Sequence, residues 1–262
     1  MSTHSTYGCV SYACVMTSEC TSQPPASAHV AVSPSSPANA AEAAVQRLSG
    51  ALDVLPKPHL RGWIHLAAFP AAVIAGLLLV ATGNSLSNRL ATVVFIATAA
   101  MLFGISAVYH RGTWSPARAL LLRRFDHANI FLIIAGTYTP LAVALLPPSS
   151  TAMLLIIVWS GALLGVAFRL FWTGAPRWLY VPAYVALGWV AIFYMPEFIA
   201  GGGWGVVGLI VAGGVAYTIG AVVYGLKAPN PSTTWFGFHE TFHTFTVIGF
   251  ICHLIAVWIA VV

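Results

Sequence analysis

The chain has 262 residues, of which 6% are charged and 59% are apolar, and its mean hydropathy is +0.86. Soluble globular domains carry roughly 25% charged residues, so this composition excludes a water-soluble enzyme and predicts a polytopic helical membrane protein. The net charge of +5 arises from Lys and Arg residues scattered along the chain. Because they form no basic stripe, we expect no nucleic-acid partner.

Residues 1–58 form the first predicted region, which is rich in Ser, Thr, Ala and Pro. Such a composition cannot bury enough apolar surface to offset the entropy lost on ordering, so we predict a disordered low-complexity tail. This region also lacks the basic start and the apolar core of a secretory signal peptide. The second predicted region, residues 59–262, is the transmembrane domain.

Seven apolar stretches follow from Trp63 onward. Each is long enough to cross, or nearly cross, a hydrocarbon core of roughly 30 Å at about 1.5 Å per helical residue. Turn-forming sequences separate the stretches, such as Pro147-Pro148 and the glycine run 201–203. We therefore predict an all-α integral membrane protein with a bundle of seven transmembrane helices. The predicted spans are approximately 63–80, 90–109, 127–146, 152–171, 178–194, 204–224 and 238–260.

The distribution of basic residues predicts the orientation of the bundle. With seven spans, ten of the eleven Lys and Arg residues fall on the side of the N-terminal tail and loops two, four and six, and only Arg89 falls on the other side. Cytoplasmic loops carry an excess of Lys and Arg. We therefore expect a cytoplasmic N-terminus and an outside C-terminus in the cell membrane, with membrane lipids as partners.

Four ionisable residues fall at span ends on the predicted cytoplasmic side. They are His110, Asp126, His239 and His243, and ionisable groups at membrane depth indicate function because burying them is costly. His239 and His243 are four residues apart, so both rings can reach one cation from the same helix face. Three His nitrogens on a tetrahedral Zn²⁺ leave one position for water, as in catalytic sites. Asp126 could orient or deprotonate that water, and Ser106 lies one turn deeper than His110.

Other interpretations of these residues remain open at this point. A single His at a span end is commonly an interfacial residue, and Asp126 could pair with Arg123 or Arg124. Residues 239–243 also match the HExxH pattern, in which two His bind zinc and the Glu is the general base of a metalloprotease. In an intramembrane protease of that kind, Asp126 is the candidate for a further ligand.

Taken together, three motifs resemble the hemolysin III family, part of the progestin and adipoQ receptor superfamily. They are SAVYH at 106–110, Asp126 with IAGTYTP at 134–140, and FHETFHTF at 238–245 with the later His253. The resemblance covers about residues 57–262 and leaves the tail unmatched. It implies a seven-helix bundle, N-terminus inside, with zinc near the cytoplasmic leaflet held by His110, His239 and His243. Asp126 and Ser106 would contact the zinc-bound water.

Three further His residues receive other interpretations. His253 follows His243 by ten residues, about 15 Å along a helix, so it cannot share a metal with His243 and is interpreted as a buried, hydrogen-bonded residue. A structural role is favoured for His65. His127 adjoins Asp126 and is a candidate for supporting the metal site.

Three functions are compatible with these observations. The first is a zinc-dependent hydrolase of lipid amide or ester bonds, similar to the ceramidases that are distant relatives of the superfamily. The second is a non-enzymatic receptor or regulator of membrane homeostasis in which zinc only joins two spans. The third is a pore-forming cytolysin, the activity to which the family name refers, although no predicted span has a continuous polar face.

Overall fold

The computed structural model describes residues 58–172 and 174–262, and all of its regular elements in that range are helical. The predicted tail, except for its last residue, lies outside the described residues. The helices are α1 (Trp63–Thr82), α2 (Leu86–Arg111), α3 (Pro116–Leu145), α4 (Pro148–Phe171), α5 (Arg177–Gly188), a 3-10 helix (Trp189–Tyr194), α6 (Met195–Leu226) and α7 (Phe238–Val261).

Helix α3 is the central helix of the bundle. It packs against α2, α4, α5, α6 and α7, while α7 also returns to α1 and closes the bundle. The eight residues 135–142 of α3 are all buried. Large apolar side chains such as Leu77, Ile156 and Leu164 face outward with more than half of their surface exposed. An apolar exterior of this kind is what a helical bundle in lipid requires.

Six helical segments of the described residues are long and apolar enough to cross a membrane. One of them, Arg177–Leu226, has 50 residues and includes α5, the 3-10 helix and α6. Its backbone leaves the helical conformation at Gly203, where φ is 73° and ψ is 176°. A positive φ favours glycine because it has no Cβ.

The chain reverses direction at Gly203, as contacts between residues on either side of it show. The Trp189 indole Nε1 donates to Thr218 Oγ1 at 2.9 Å, and the hydroxyls of Tyr180 and Tyr224 lie 3.4 Å apart. In a continuous helix, Trp189 and Thr218 would stand about 43 Å apart at 1.5 Å per residue. The segment therefore consists of two antiparallel helical arms.

The 3-10 helix is stabilised by Tyr138 of α3. Its hydroxyl donates to the Gly188 carbonyl at 2.6 Å and accepts from the Ala191 amide at 2.8 Å. Irregular backbone at membrane depth is tolerated where protein groups satisfy it. The tyrosine therefore allows the span to change helical form beside the cavity described below.

Several predicted helix ends are wrong by more than a turn. The third span was predicted to begin at residue 127, but α3 begins at Pro116, and the helical arm before Gly203 continues from Met195 instead of forming a loop. Arg118, Arg123 and Arg124 therefore lie on a helix. Hydropathy detects only the part of a helix that is apolar, whereas Ser115 and Pro116 favour a helix start well outside that part.

Candidate metal centre

Three imidazoles meet at one end of the bundle, as the spacing of the histidines predicts. His110 lies next to the last residue of α2, and His239 and His243 lie in the first two turns of α7. The Nε2 atoms of His110 and His239 are 3.1 Å apart, and one nitrogen of each of the three residues lies within 4.8 Å of the others. The three histidines are close enough to bind a metal ion.

The separation of two nitrogen atoms in this His cluster is compatible with a metal ion bound between them. Two ligands at about 2.0–2.1 Å from a tetrahedral zinc stand roughly 3.3 Å apart, close to the observed separation of the His110 and His239 Nε2 atoms. The Nε2 atom of His243 is buried and has no hydrogen-bond partner among the described residues. Buried polar atoms without a partner are costly, and a bound metal would satisfy this one.

The loop that precedes α1 packs directly on His110. Gly62 adopts a left-handed conformation with φ of 81°, and a Cβ atom added there would stand 2.7 Å from the His110 Cβ atom. Only glycine meets both conditions without strain. This close approach places the segment before α1 directly against the backbone end of the His110 side chain.

Asp126 and Ser106 lie beside the His cluster. Asp126 is 8% exposed, and its Oδ2 atom is 3.8 Å from His110 Nε2. The Ser106 hydroxyl lies next to the Asp126 carboxyl group and has no other partner among the described residues. No arginine forms an ion pair with Asp126 within the described part of the chain, so the predicted alternative of a pair with Arg123 or Arg124 is not observed.

His65 of α1 is a fourth histidine that sequence reasoning did not place here. It is 2% exposed, and its two ring nitrogens lie 2.9 and 2.6 Å from His243 Nδ1. The contact occupies Nδ1 of His243 and leaves Nε2 for a ligand. No spacing motif links His65 to His243, because the two residues are 178 positions apart; the one available signal was that both lie in the first turns of their spans.

Glu240 does not face the His cluster. Its Oε1 atom accepts a hydrogen bond from Arg61 Nε, and its Oε2 atom accepts one from the Gly237 amide at 2.8 Å. The side chain therefore caps α7 and ties it to the segment before α1. Both Glu240 oxygens are thus engaged away from the His cluster, which does not favour the general-base role that the HExxH pattern assigns to this residue in a metalloprotease.

A second polar group of side chains, the arginine–tyrosine cluster, lies next to the His cluster. Arg169 NH2 donates to His127 Nδ1 at 3.1 Å, so His127 Nε2 carries the proton and donates to the Tyr224 hydroxyl, also at 3.1 Å. Both ring nitrogens of His127 are thus used by Arg169 and Tyr224, and its interpretation as a support of the metal site stays a prediction. The cluster consists of His127, Arg169, Arg177, Tyr180 and Tyr224.

An apolar cavity begins at these two clusters and continues toward the other end of the bundle. It encloses about 1310 Å³, part of which is open to the outside. Along α7 it is lined from His239 to His253, about 20 Å at 1.5 Å per residue. His253 Nε2 donates to the Ile210 carbonyl at 3.1 Å, in agreement with its predicted structural role. Side chains between the two ends include Ile133, Leu141, Val211 and Phe242.

Comparison with known proteins identifies the family of the chain. Residues 54–254 match the family model described as haemolysin-III related. The chain is 29% identical to the "Hemolysin-3 homolog" of Bacillus subtilis (strain 168) over 66% of its own length and 81% of that protein. It is 32% identical to the "Hemolysin-3" of Bacillus cereus over 47% of its own length and 56% of that protein. The chain belongs to the haemolysin-III-related family, and it is a multi-pass membrane protein.

Proposed function

We propose that this protein is a zinc-dependent hydrolase that cleaves amide or ester bonds of membrane lipids. One observation carries the proposal: two of the three clustered histidines, His239 and His243, and the buried Asp126 side chain line the same apolar cavity. Histidine nitrogens are preferred zinc ligands, and three of them leave a position for water or substrate. A site that only held the fold together would need neither the open position nor the cavity.

The side chains have distinct roles in the proposed reaction. His110, His239 and His243 hold the metal, and His65 keeps the His243 ring oriented through Nδ1. Zinc, when bound, supplies a Lewis acid that polarises a carbonyl group and acidifies a bound water. Asp126 accepts the proton of the attacking water and passes it to the leaving group. Ser106 positions the Asp126 carboxyl group from the neighbouring helix.

The cavity supports a lipid as the substrate. Its walls are apolar apart from the metal end and a few hydroxyl and indole groups, so it fits an acyl chain better than a peptide or sugar. The α3, α5, α6 and α7 helices all contribute to the lining. With the chain in the cavity, the polar linkage of the lipid lies at the His cluster.

The proposed enzyme has seven spans, with the N-terminus in the cytoplasm. The reversal at Gly203 supports this count, since a 50-residue helix would be about 75 Å long in a core of roughly 30 Å. With seven spans, the basic residues give the orientation by the positive-inside rule. Reporter fusions after Val262 test it: alkaline phosphatase is active there and green fluorescent protein is dark, whereas the reverse result contradicts the orientation.

Hydrolysis by the purified full chain tests the function directly. We expect zinc-loaded protein to release fatty acid from a lipid amide or ester, measured by mass spectrometry. Asp126→Asn should lower turnover by about 10²–10⁴-fold, the range for loss of a general base, without changing the zinc content. Glu197→Gln, which removes an acid that accepts a hydrogen bond from Ser150 outside the His cluster, is the matched control and should keep full turnover. Full turnover in Asp126→Asn would contradict the proposed mechanism.

A structural metal site is the second candidate function, and helix packing favours it. Helices α2 and α7 are not among the closely packed pairs, and they meet through side chains such as Phe103 and Phe250, whose rings are 5.0 Å apart. A metal between His110 and His239 would join them. In that case no lipid is cleaved by the wild type, and removal of zinc by a chelator lowers the melting temperature without any other effect.

A further inference from the structure

The arginine–tyrosine cluster contains two positive charges without a negative partner. Arg169 is 3% exposed, and neither Arg169 nor Arg177 forms an ion pair within the described residues. Three of their nitrogens, Arg169 Nε and NH1 and Arg177 NH1, are buried without a hydrogen-bond partner. Guanidinium groups cannot lose their charge in proteins, and an unpaired buried charge is among the most costly features of a fold.

The contacts that these arginines do make leave the charge uncompensated. Arg169 stacks on the Tyr180 ring with its Cζ atom 4.2 Å from the ring centre, and Arg177 lies 4.9 Å above the Tyr224 ring. A cation–π contact is worth roughly 0.5–2 kcal/mol, much less than the cost of the desolvated charge. Arg169 also donates to His127, which is neutral when its Nδ1 accepts. The cluster is therefore completed only by an anion.

The cluster is next to the His cluster and the cavity. The Tyr224 ring centre is 5.9 Å from that of His239, and His127 directly follows Asp126 in α3. His127 and Tyr224 also line the cavity. Arg169 contacts His127 and Arg177 contacts Tyr224, so a lipid with its chain in the cavity would have its headgroup one side chain away from each guanidinium group.

We propose that Arg169 and Arg177 bind the phosphate group of a lipid, so that the substrate is a lipid phosphate or phospholipid. The three unpartnered nitrogens belong to two guanidinium groups on different helices, and a phosphate has enough oxygens and charge to engage both. A carboxylate offers two oxygens and one charge. This assignment rests on the proposed lipid hydrolase function for the reaction, but the binding of phosphate is measurable without turnover.

Binding of matched short-chain lipids to the detergent-purified full chain tests the proposal. We expect dioctanoyl phosphatidic acid to bind at least about 10-fold more tightly than dioctanoyl glycerol, since charge-assisted hydrogen bonds are worth roughly 1.5–3 kcal/mol each. Arg169→Gln/Arg177→Gln should abolish this preference. The control Arg118→Gln/Arg123→Gln removes two exposed arginines from the same end of the bundle and should retain it. Equal affinity for the two lipids, or a preference that survives in Arg169→Gln/Arg177→Gln, would overturn the proposal.

Two further binding measurements distinguish a lipid phosphate from free phosphate and from a carboxylate. Inorganic phosphate should compete only weakly, and binding as tight as that of phosphatidic acid would overturn a lipid ligand. Octanoate binding as tight as that of phosphatidic acid would overturn the assignment of phosphate.

A second variant applies if Arg169→Gln/Arg177→Gln does not fold. Arg169→Lys/Arg177→Lys keeps the charges but loses the planar donors. A preference for phosphatidic acid that falls at least about threefold supports the proposal, and an unchanged preference overturns it.

The same assay separates this proposal from the proposed hydrolase function. The variant His239→Ala/His243→Ala removes two of the three proposed zinc ligands but neither arginine. It should lose turnover and keep the preference for phosphatidic acid. A preference lost together with the metal would overturn a separate phosphate site, whereas wild-type protein that binds phosphatidic acid without cleaving any lipid counts against the hydrolase alone.

Discussion

The two polar clusters at one end of the bundle differ in what they lack. In the His cluster, the Nε2 atoms of His110 and His239 lie 3.1 Å apart, and the buried Nε2 atom of His243 has no hydrogen-bond partner among the described residues. In the arginine–tyrosine cluster, three buried guanidinium nitrogens of Arg169 and Arg177 have no acceptor among the described residues. We propose that a cation completes one cluster and an anion the other. Two neighbouring clusters with unsatisfied nitrogens of opposite preference, beside one cavity, are expected where a metal and an anionic substrate meet.

The largest expected effect on stability concerns Glu240, which links α7 to the segment before α1. Glu240→Gln breaks the buried contact with Arg61, and removal of one partner of a buried ion pair costs about 3–5 kcal/mol. We expect that loss in the free energy of unfolding, measured by denaturant titration in detergent micelles. Glu197→Gln at the far end of the bundle should cost less than about 1 kcal/mol. Equal costs for the two variants would show that Glu240 does not brace α7.

A smaller effect, on zinc affinity, tests whether His65 orients His243. His65→Gln removes the imidazole that contacts His243 Nδ1, and loss of a group that orients a metal ligand typically weakens metal binding by about 10–100-fold. Competition with a fluorescent zinc chelator measures the affinity. His253→Gln, on the same helix as His243 but outside the cluster, should leave zinc affinity unchanged. An unaltered affinity in His65→Gln would mean that His243 is positioned by its own helix.

Sequence reasoning identified the His cluster because its members obey simple rules. His239 and His243 lie four residues apart on one helix, and span counting with the distribution of basic residues predicts that His110 and Asp126 lie at the same end. These rules depend on helix geometry and chain order alone. The chain order of the helices was predictable for the same reason, since apolar stretches of sufficient length mark them directly.

The arginine–tyrosine cluster and the helix ends could not be predicted in this way. Arg169 and Arg177 served only as orientation signals, because hydropathy does not show which side chains α4, α5 and α6 bring together laterally. His65 was missed for the same reason. The extension of α3 back to Pro116 lies outside the apolar stretch, so a hydropathy window begins later in the chain than the helix does.

The smallest expected effect is a gain in the free energy of unfolding, and it tests the charge of Arg169. Arg169→Met removes a buried cation that has no ion pair within the described part of the chain. Replacing buried charge with an apolar side chain is often stabilising, so we expect the free energy of unfolding to rise by about 1 kcal/mol in lipid-free detergent. Arg118→Met, at an exposed position, should change it by less than about 0.5 kcal/mol. A destabilised Arg169→Met would indicate that the existing contacts already satisfy the charge.

The zinc content of detergent-purified protein tests the central claim most directly. We predict about one zinc per chain in the wild type, since the three histidines form one site. His239→Ala/His243→Ala should hold less than about a tenth of that amount, while His253→Ala keeps the full amount. A wild-type chain that folds without zinc, or a double variant that retains it, would contradict the account.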